Sequence, residues 1–278
     1  MTEISSPSVF TIGGKQFDFS RRTFIMGILN VTPDSFSDGG KYLDPERAVG
    51  HALQMVEDGA DIVDVGGQST RPKGVYGEGA DMVSAEEEMR RVVPVIEQVA
   101  RKSDVPISID TYKSNVATAA LNAGAVIVND ISGLKFDSDM AETAARHRAT
   151  LVAMHIKGTP KTMQHNPVYE NFLQEIKEYL SQSISAARAA GIEQIIIDPG
   201  IGFGKTTEHN LSLIHSLREF KEFGCPLLIG PSRKGFIGNV LKTEDGVPLP
   251  VDQRLEGTAA AVAISIINGA NIVRVHDV

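Results

Sequence analysis

Along the chain, short and continuously apolar runs alternate with longer stretches whose apolar positions recur at three- and four-residue intervals. The short runs are Thr23–Leu29, Ile62–Val65, Pro106–Ile109, Val126–Val128, Leu151–Met154, Ile195–Ile197, Pro226–Ile229 and Asn271–Val275. Unbroken apolar runs of this length suit parallel strands buried on both faces. Between them, helical patterns occupy about 45–58, 84–101, 113–123, 139–147, 169–190, 208–223 and 253–268. Three junctions echo one another: Gly59-Ala60-Asp61-Ile62-Val63, Gly124-Ala125-Val126-Ile127-Val128 and Gly269-Ala270-Asn271-Ile272-Val273. In each, a glycine can end a helix in left-handed backbone just before a strand begins.

Eight strands separated by seven helices predict an α/β fold, a (β/α)8 TIM barrel spanning residues 23–278, with an open sheet of the same elements as the alternative. Val9–Ile12 and Lys15–Asp18 flank Gly13-Gly14 and read as a hairpin. Residues 1–22 are therefore placed as a cap on one end of the barrel, within the same domain. The sequence stops at Val278, directly after the eighth strand, so the expected barrel has no final helix.

Composition narrows the class. The 278 residues are 42% hydrophobic and 22% charged, which is ample for a large core. The net charge of −8, with no Lys/Arg-rich run, argues against nucleic acid. The longest mostly apolar stretch, Ala259 to Ile267, is far shorter than the roughly 18 residues of a membrane span. Met1-Thr2-Glu3-Ile4 does not open like a signal peptide, and Cys225 is the single cysteine, so no internal disulfide can form. The expected setting is cytoplasmic, without a membrane partner.

Chemistry in such a barrel gathers where strands give way to loops. Here those ends carry Asn30, Asp64 with Ser69-Thr70-Arg71, Asp110, Asn129-Asp130, His155, Asp198, Ser232-Arg233-Lys234, and Arg274 with His276-Asp277. Taken singly, Asp64, Asp130, His155 and Asp277 read as helix caps or loop ion pairs. As a ring the set reads differently. Asp110 and Asp198 can accept hydrogen bonds from N–H groups of a flat heterocycle, with Asn129 adding a donor and an acceptor. Arg71, Arg274, His276 and Lys234 supply positive charge for a phosphate or diphosphate. Asn30 offers an oxygen suited to Mg2+. An acidic protein with this basic ring points to an anionic small molecule.

Gly200-Ile201-Gly202-Phe203-Gly204-Lys205-Thr206 suggests a phosphate-binding P-loop, but the required first glycine falls on Pro199. The dinucleotide fingerprint fails as well, because its third glycine falls on Lys205. The stretch reads instead as a loop bringing Phe203 over the mouth, where its face can stack on a flat ligand or simply pack. Lys234 has a sharper alternative as a Schiff-base lysine, although hydrogen bonding or anion binding suits Ser232-Arg233-Lys234 better. Glu86-Glu87-Glu88 beside Arg90-Arg91 reads as a solvated helix face.

Two long segments carry a resemblance to a known family. Met26-Gly27-Ile28-Leu29-Asn30-Val31-Thr32-Pro33-Asp34-Ser35-Phe36-Ser37-Asp38-Gly39-Gly40 and Asp64-Val65-Gly66-Gly67-Gln68-Ser69-Thr70-Arg71-Pro72 resemble the signatures of dihydropteroate synthases. The likeness runs on through Ser108-Ile109-Asp110-Thr111, Asn129-Asp130, the Asp198–Lys205 segment, Pro231-Ser232-Arg233-Lys234, Arg254-Leu255-Glu256-Gly257-Thr258 and Arg274-Val275-His276-Asp277.

The resemblance implies a transferase of folate synthesis on a (β/α)8 barrel. It joins p-aminobenzoate to 6-hydroxymethyl-7,8-dihydropterin diphosphate with Mg2+ assistance, and it is a homodimer and a sulfonamide target. By similarity Asp110, Asn129, Asp198 and Lys234 hold the pterin, with Phe203 beside it. Asn30, Arg71, Arg274 and His276 meet the diphosphate, with Asn30 at the metal. Thr70, Arg71, Pro72, Phe203 and Ser232 frame the p-aminobenzoate pocket, and Asp110, Asp198, Lys234, Arg274 and His276 form the catalytic set. The loops Thr32–Lys41 and Gly67–Gly79 are expected to close over the site. Two departures stand out: Gln68 where many relatives carry Glu, and Lys73 inserted before Gly74.

Overall fold

A computed structural model describes residues 9–32, 45–68 and 83–278. The hairpin strands β1 (Val9–Ile12) and β2 (Lys15–Asp18) pair antiparallel, Val9 opposite Asp18 and Ile12 opposite Lys15, around the foreseen Gly13-Gly14 turn. Eight parallel strands follow: β3 (Phe24–Asn30), β4 (Ile62–Gly66), β5 (Ile107–Asp110), β6 (Ile127–Asp130), β7 (Thr150–Met154), β8 (Ile195–Asp198), β9 (Leu228–Ile229) and β10 (Ile272–Val275). Their order is β8-β7-β6-β5-β4-β3-β10-β9. A single bridge between Ile197 and Leu227, with Ile197 N–H donating to Pro226 O at 3.0 Å, joins β8 to β9 and closes the cylinder. The open-sheet alternative is thereby set aside.

The described helices are α1 (Pro45–Asp58), α2 (Ala85–Lys102), α3 (Ser114–Ala123), α4 (Met140–Arg146), α5 (Phe172–Ala189), α6 (Thr207–His215), α7 (Gly235–Val240) and α8 (Leu255–Ile267). No described helix is long and apolar enough to cross a membrane. The pattern over 208–223 proves to be two pieces. The α-helix stops at His215, and Leu217–Phe223 continue as a 3-10 helix that buries Leu217 and Phe220, three residues apart. That spacing fits a three-residue turn as well as a helical one. The short α7 escaped the sequence reading because glycines at 235 and 238 dilute its periodicity. Gly238 is required there: a Cβ would lie 2.7 Å from the Arg254 Nε and 2.6 Å from Leu249 O.

Residues two apart on a strand share a face, and in a barrel that face is the lumen. Met26, Ile62, Ile127, Val152, Ile196, Leu228 and Ile272 form an apolar layer inside, joined by Phe24 and by Ile12 and Phe17 of the hairpin. The Phe17 and Phe24 rings lie 4.7 Å apart, so the hairpin seals the N-terminal end. Each fully buried side chain of this size stabilises the fold by about 1.5–3 kcal/mol. Two residues beyond this layer the same inward positions become Asp64, Asn129, Asp198 and Arg274. The alternation that fills the barrel therefore also aims its polar groups.

Candidate active site

A cavity of about 380 Å³ opens at the C-terminal ends of the strands. Asn30, Asp110, Asn129, Asp198, Phe203, Ser232, Lys234, Arg274 and His276 all line it, so the structure brings together every described residue of the expected site. Thr70, Arg71, Pro72 and Lys73 lie outside the described residues, as do most of the loops Thr32–Lys41 and Gly67–Gly79.

The floor is an ion-pair network. Arg274, from β10, donates from Nε to Asp64 Oδ2 at 2.6 Å and from Nη2 to Asp110 Oδ2 at 2.7 Å. Asn129 Nδ2 donates to the same Asp64 oxygen at 3.0 Å. Burial raises the Asp110 carboxyl to about 7; Arg274 opposes this, while Asp64, Glu88 and Asp130 add to it. Burial likewise raises Asp198, against the opposing charges of Lys234, Lys205 and Arg274. Lys234 falls to about 7 for the same reason, with Asp198 and Asp110 resisting the fall and Arg274 adding to it. Acceptors and donors thus converge at a buried floor, where each hydrogen bond to a charged group counts for more.

One wall is the loop after β8. Gly200 N–H donates to Asp198 Oδ1 at 2.7 Å and Gly202 N–H to Asn210 Oδ1 at 2.6 Å. Tyr169 Oη donates to Gly204 O at 2.7 Å. Buried Lys205 places its three N–H donors on Gly200 O, Phe203 O and His155 Nδ1, at 2.8, 3.1 and 2.9 Å. So Lys205, which failed as a P-loop lysine, is a clasp that fixes Phe203. The Lys234 Nζ stands 4.4 Å over the Phe203 ring and donates to Ile201 O.

The opposite wall is the Ser232-Arg233-Lys234 turn. Arg233 adopts φ +58°, a conformation costly for a residue with a Cβ. It is held by Thr258 Oγ1 on its N–H, by Arg254 on its carbonyl, and by a paired contact of its guanidinium with Asp277. Ser232 Oγ meets His276 Nδ1 at 3.0 Å, linking the turn to the last residues.

Some sequence readings change. Glu88 is not on a solvated face: it is 1% exposed and accepts from Lys113 Nζ at 2.5 Å. Lys113 also donates to Gln68 Oε1 at 2.7 Å, and Gln68 donates to Tyr112 Oη at 2.9 Å. With Glu88 meeting the lysine's charge, a neutral amide suffices at position 68. Asp64 is no cap or loop ion pair: it lies mid-strand, with no exposure, under the site floor. A lone charge in the apolar run Ile62–Gly66 was the available signal. Asp130 does cap a turn, accepting from Ser132 and Leu134.

A closed parallel barrel whose strand ends gather carboxylates, an amide, a lysine and an arginine around one cavity has the architecture of a barrel enzyme. The chain belongs to the pterin binding enzyme family, whose profile matches residues 26–276. It is 47% identical over 274 residues to a dihydropteroate synthase of Synechocystis, covering 98% of this chain and 91% of that one. A structure of the Yersinia pestis dihydropteroate synthase with a sulfonamide drug complex superposes with a TM-score of 0.87 at 42% identity, over 97% of this chain and 93% of that one. The Xanthomonas albilineans dihydropteroate synthase in complex with 7,8-dihydropteroate superposes with a TM-score of 0.83 at 38% identity, over the same shares.

Proposed function

We propose that this chain joins p-aminobenzoate to 6-hydroxymethyl-7,8-dihydropterin diphosphate, releasing 7,8-dihydropteroate and diphosphate. The observation that carries this reading is the single cavity that holds Asp110, Asn129, Asp198 and Lys234 against Arg274 and His276. In this reading Asp110, Asn129 and Asp198 take the N–H groups of the pterin edge, and Lys234 donates to its acceptor edge. Arg274 and His276 stabilise charge growing on the departing diphosphate, the electrostatic contribution that usually dominates in such sites. As the carbon–oxygen bond breaks, the methylene becomes cationic and shares that charge with the ring, where the carboxylates of Asp110 and Asp198 face it. The arylamine of p-aminobenzoate is neutral at pH 7 and attacks without a strong base, and the acidic anilinium formed gives its proton to solvent or to the released diphosphate. Phe203 and Ser232 frame its approach, together with Thr70, Arg71 and Pro72.

Asn30 ends β3 with a half-buried amide on the cavity. Among the described residues no group of three or more His, Cys, Asp or Glu side chains could hold a metal by itself. That donor set suits Mg2+ arriving with the diphosphate, since this ion keeps waters and uses few protein ligands. Held by Asn30, the ion would supply further neutralisation of the leaving group.

We also place this chain in a homodimer. Helix α8 exposes Ala259, Ala260, Ala263, Ile264 and Ile267 on one side, an apolar face suited to a second copy. A reduced, buried Cys225 fits the cytoplasm. The deciding experiment for the function is an assay for dihydropteroate from the two substrates, with and without Mg2+. Product dependent on both substrates supports the reading; saturating pterin binding with no product would sink it.

A further inference from the structure

The site floor rests on a carboxylate that touches no ligand space. Asp64 has no solvent exposure and does not line the cavity. One of its oxygens, Oδ2, accepts from both Asn129 Nδ2 and Arg274 Nε. Among the described residues its other oxygen, Oδ1, has no hydrogen-bond partner, and neither does the Ser108 Oγ of its register neighbour on β5. Such an arrangement is costly for stability alone. A buried carboxylate with one oxygen unsatisfied forfeits desolvation energy that an apolar residue at this position would keep.

The geometry points to Asp64 as a positioning residue that decides which way the site's amide and guanidinium face. An asparagine amide has one end that donates and one that accepts, and it can turn end for end. Because Asp64 takes an N–H from Asn129, the amide is turned with its carbonyl oxygen toward the cavity, and Asn129 reads an N–H donor on the ligand. The same carboxylate fixes the Nε edge of Arg274, which leaves Nη2 on Asp110 and sets the height of the guanidinium at the floor. Asp64 thereby makes the floor a uniform row of acceptors: Asp110, Asn129 and Asp198. A heterocycle with a donor-rich edge fits that row; one whose amino group is replaced by a carbonyl presents an acceptor to an acceptor and is repelled. This inference rests on the pterin reading of the cavity and names the residue that enforces its selectivity.

The test is the pair Asp64→Asn and Ser108→Ala in the full chain, assayed with both substrates and by calorimetric titration of 6-hydroxymethylpterin. Asp64→Asn is expected to weaken pterin binding roughly tenfold or more, the scale of one charge-assisted hydrogen bond. The KM for p-aminobenzoate should stay within about twofold, because the described partners of Asp64, Asn129 and Arg274, belong to the pterin side of the cavity. Selectivity for the pterin over its 2-oxo analogue should shrink in the same variant. Ser108→Ala removes the neighbouring unsatisfied hydroxyl without touching Asn129 or Arg274, and should leave both affinities unchanged. Adding Asn129→Ala to Asp64→Asn should cost less than the sum of the two separate losses.

If Asp64→Asn lowers only the melting temperature, with pterin affinity and selectivity intact, the residue is structural and the inference is overturned. If that variant does not fold, a structure of the unaltered protein with 6-hydroxymethylpterin decides. Asn129 turned with its NH2 on the ligand, and away from Asp64, overturns the inference as well. Failure of the unaltered protein to bind any pterin would instead sink the functional reading on which the inference rests.

Discussion

At one end of the barrel the strands deliver Met26, Ile62, Ile127, Val152, Ile196, Leu228 and Ile272; a few residues later the same strands deliver Asn30, Asp110, Asn129, Asp198 and Arg274. The first layer is apolar and sealed by Ile12 and Phe17, whereas the second faces a cavity and keeps four charged or polar groups largely desolvated. The same scaffold gains stability at one end and gives part of it up at the other. Unsatisfied Oδ1 of Asp64 and the shifted Asp110 and Lys234 are the signs of that concession. Substitutions at the two ends should therefore separate cleanly in what they disturb.

Asp198→Ala should show the largest effect on function, abolishing measurable pterin binding, a loss of at least about a hundredfold where a charged acceptor vanishes from a buried site. Its melting temperature should change little, since loss of a desolvated carboxyl offsets loss of the acceptor for the Gly200 N–H; unfolding on substitution would contradict the division between the ends. Met26→Ala, in the sealed layer, should cost about 2–5 kcal/mol in denaturant unfolding while leaving both KM values unchanged. A change in pterin KM would show that the layers are coupled.

A smaller effect comes from pH. Asp110 and Lys234 are both held near 7. Below that value Asp110 gains a proton and loses its charge as an acceptor; above it Lys234 loses a proton and its charge as a donor. Pterin affinity measured across pH 5.5–9 should therefore peak near neutrality, and Asp110→Asn should reduce the acidic limb to what Asp198, also raised by burial, contributes. A flat profile would reject both shifts. If Phe203 and Ser232 frame the p-aminobenzoate site as proposed, a sulfonamide competing there should raise the apparent KM for p-aminobenzoate without changing kcat. Lys73→Ala should do least, with titrated pterin affinity nearly unchanged; a loss equal to that of Asp198→Ala would undo the assignments.

How far the sequence could be read follows from the periods involved. Buried parallel strands announce themselves as unbroken apolar runs, and all eight appear within a residue or two of their expected places. The polar residues that end them were visible because each interrupts such a run. Lys205 received no role from the sequence for a different reason. Its role lies in three acceptors contributed by Gly200, Phe203 and His155, and His155 is fifty residues away in sequence. Glu88 was misplaced because a run of acids on a helix does not say which one faces inward, and here Lys113 draws it there. Asp64 was read as a cap or loop ion pair because strand-end carboxylates commonly serve so, and only the folded barrel lays Asn129 and Arg274 upon it.

The cylinder is not equally strong around its circumference. Seven neighbouring strands are laced by ladders of three to five paired positions, but β9 contributes two residues and meets β8 through one bridge at Ile197 and Leu227. Asp198 follows that bridge on one bank and Lys234 rises from the loop on the other. A pterin grasped by both would act as a suture across the gap. Amide hydrogen exchange should register this as slower exchange at Ile197, out of proportion to any slowing in the ladders opposite, so that occupancy of the pocket and integrity of the wall become a single equilibrium.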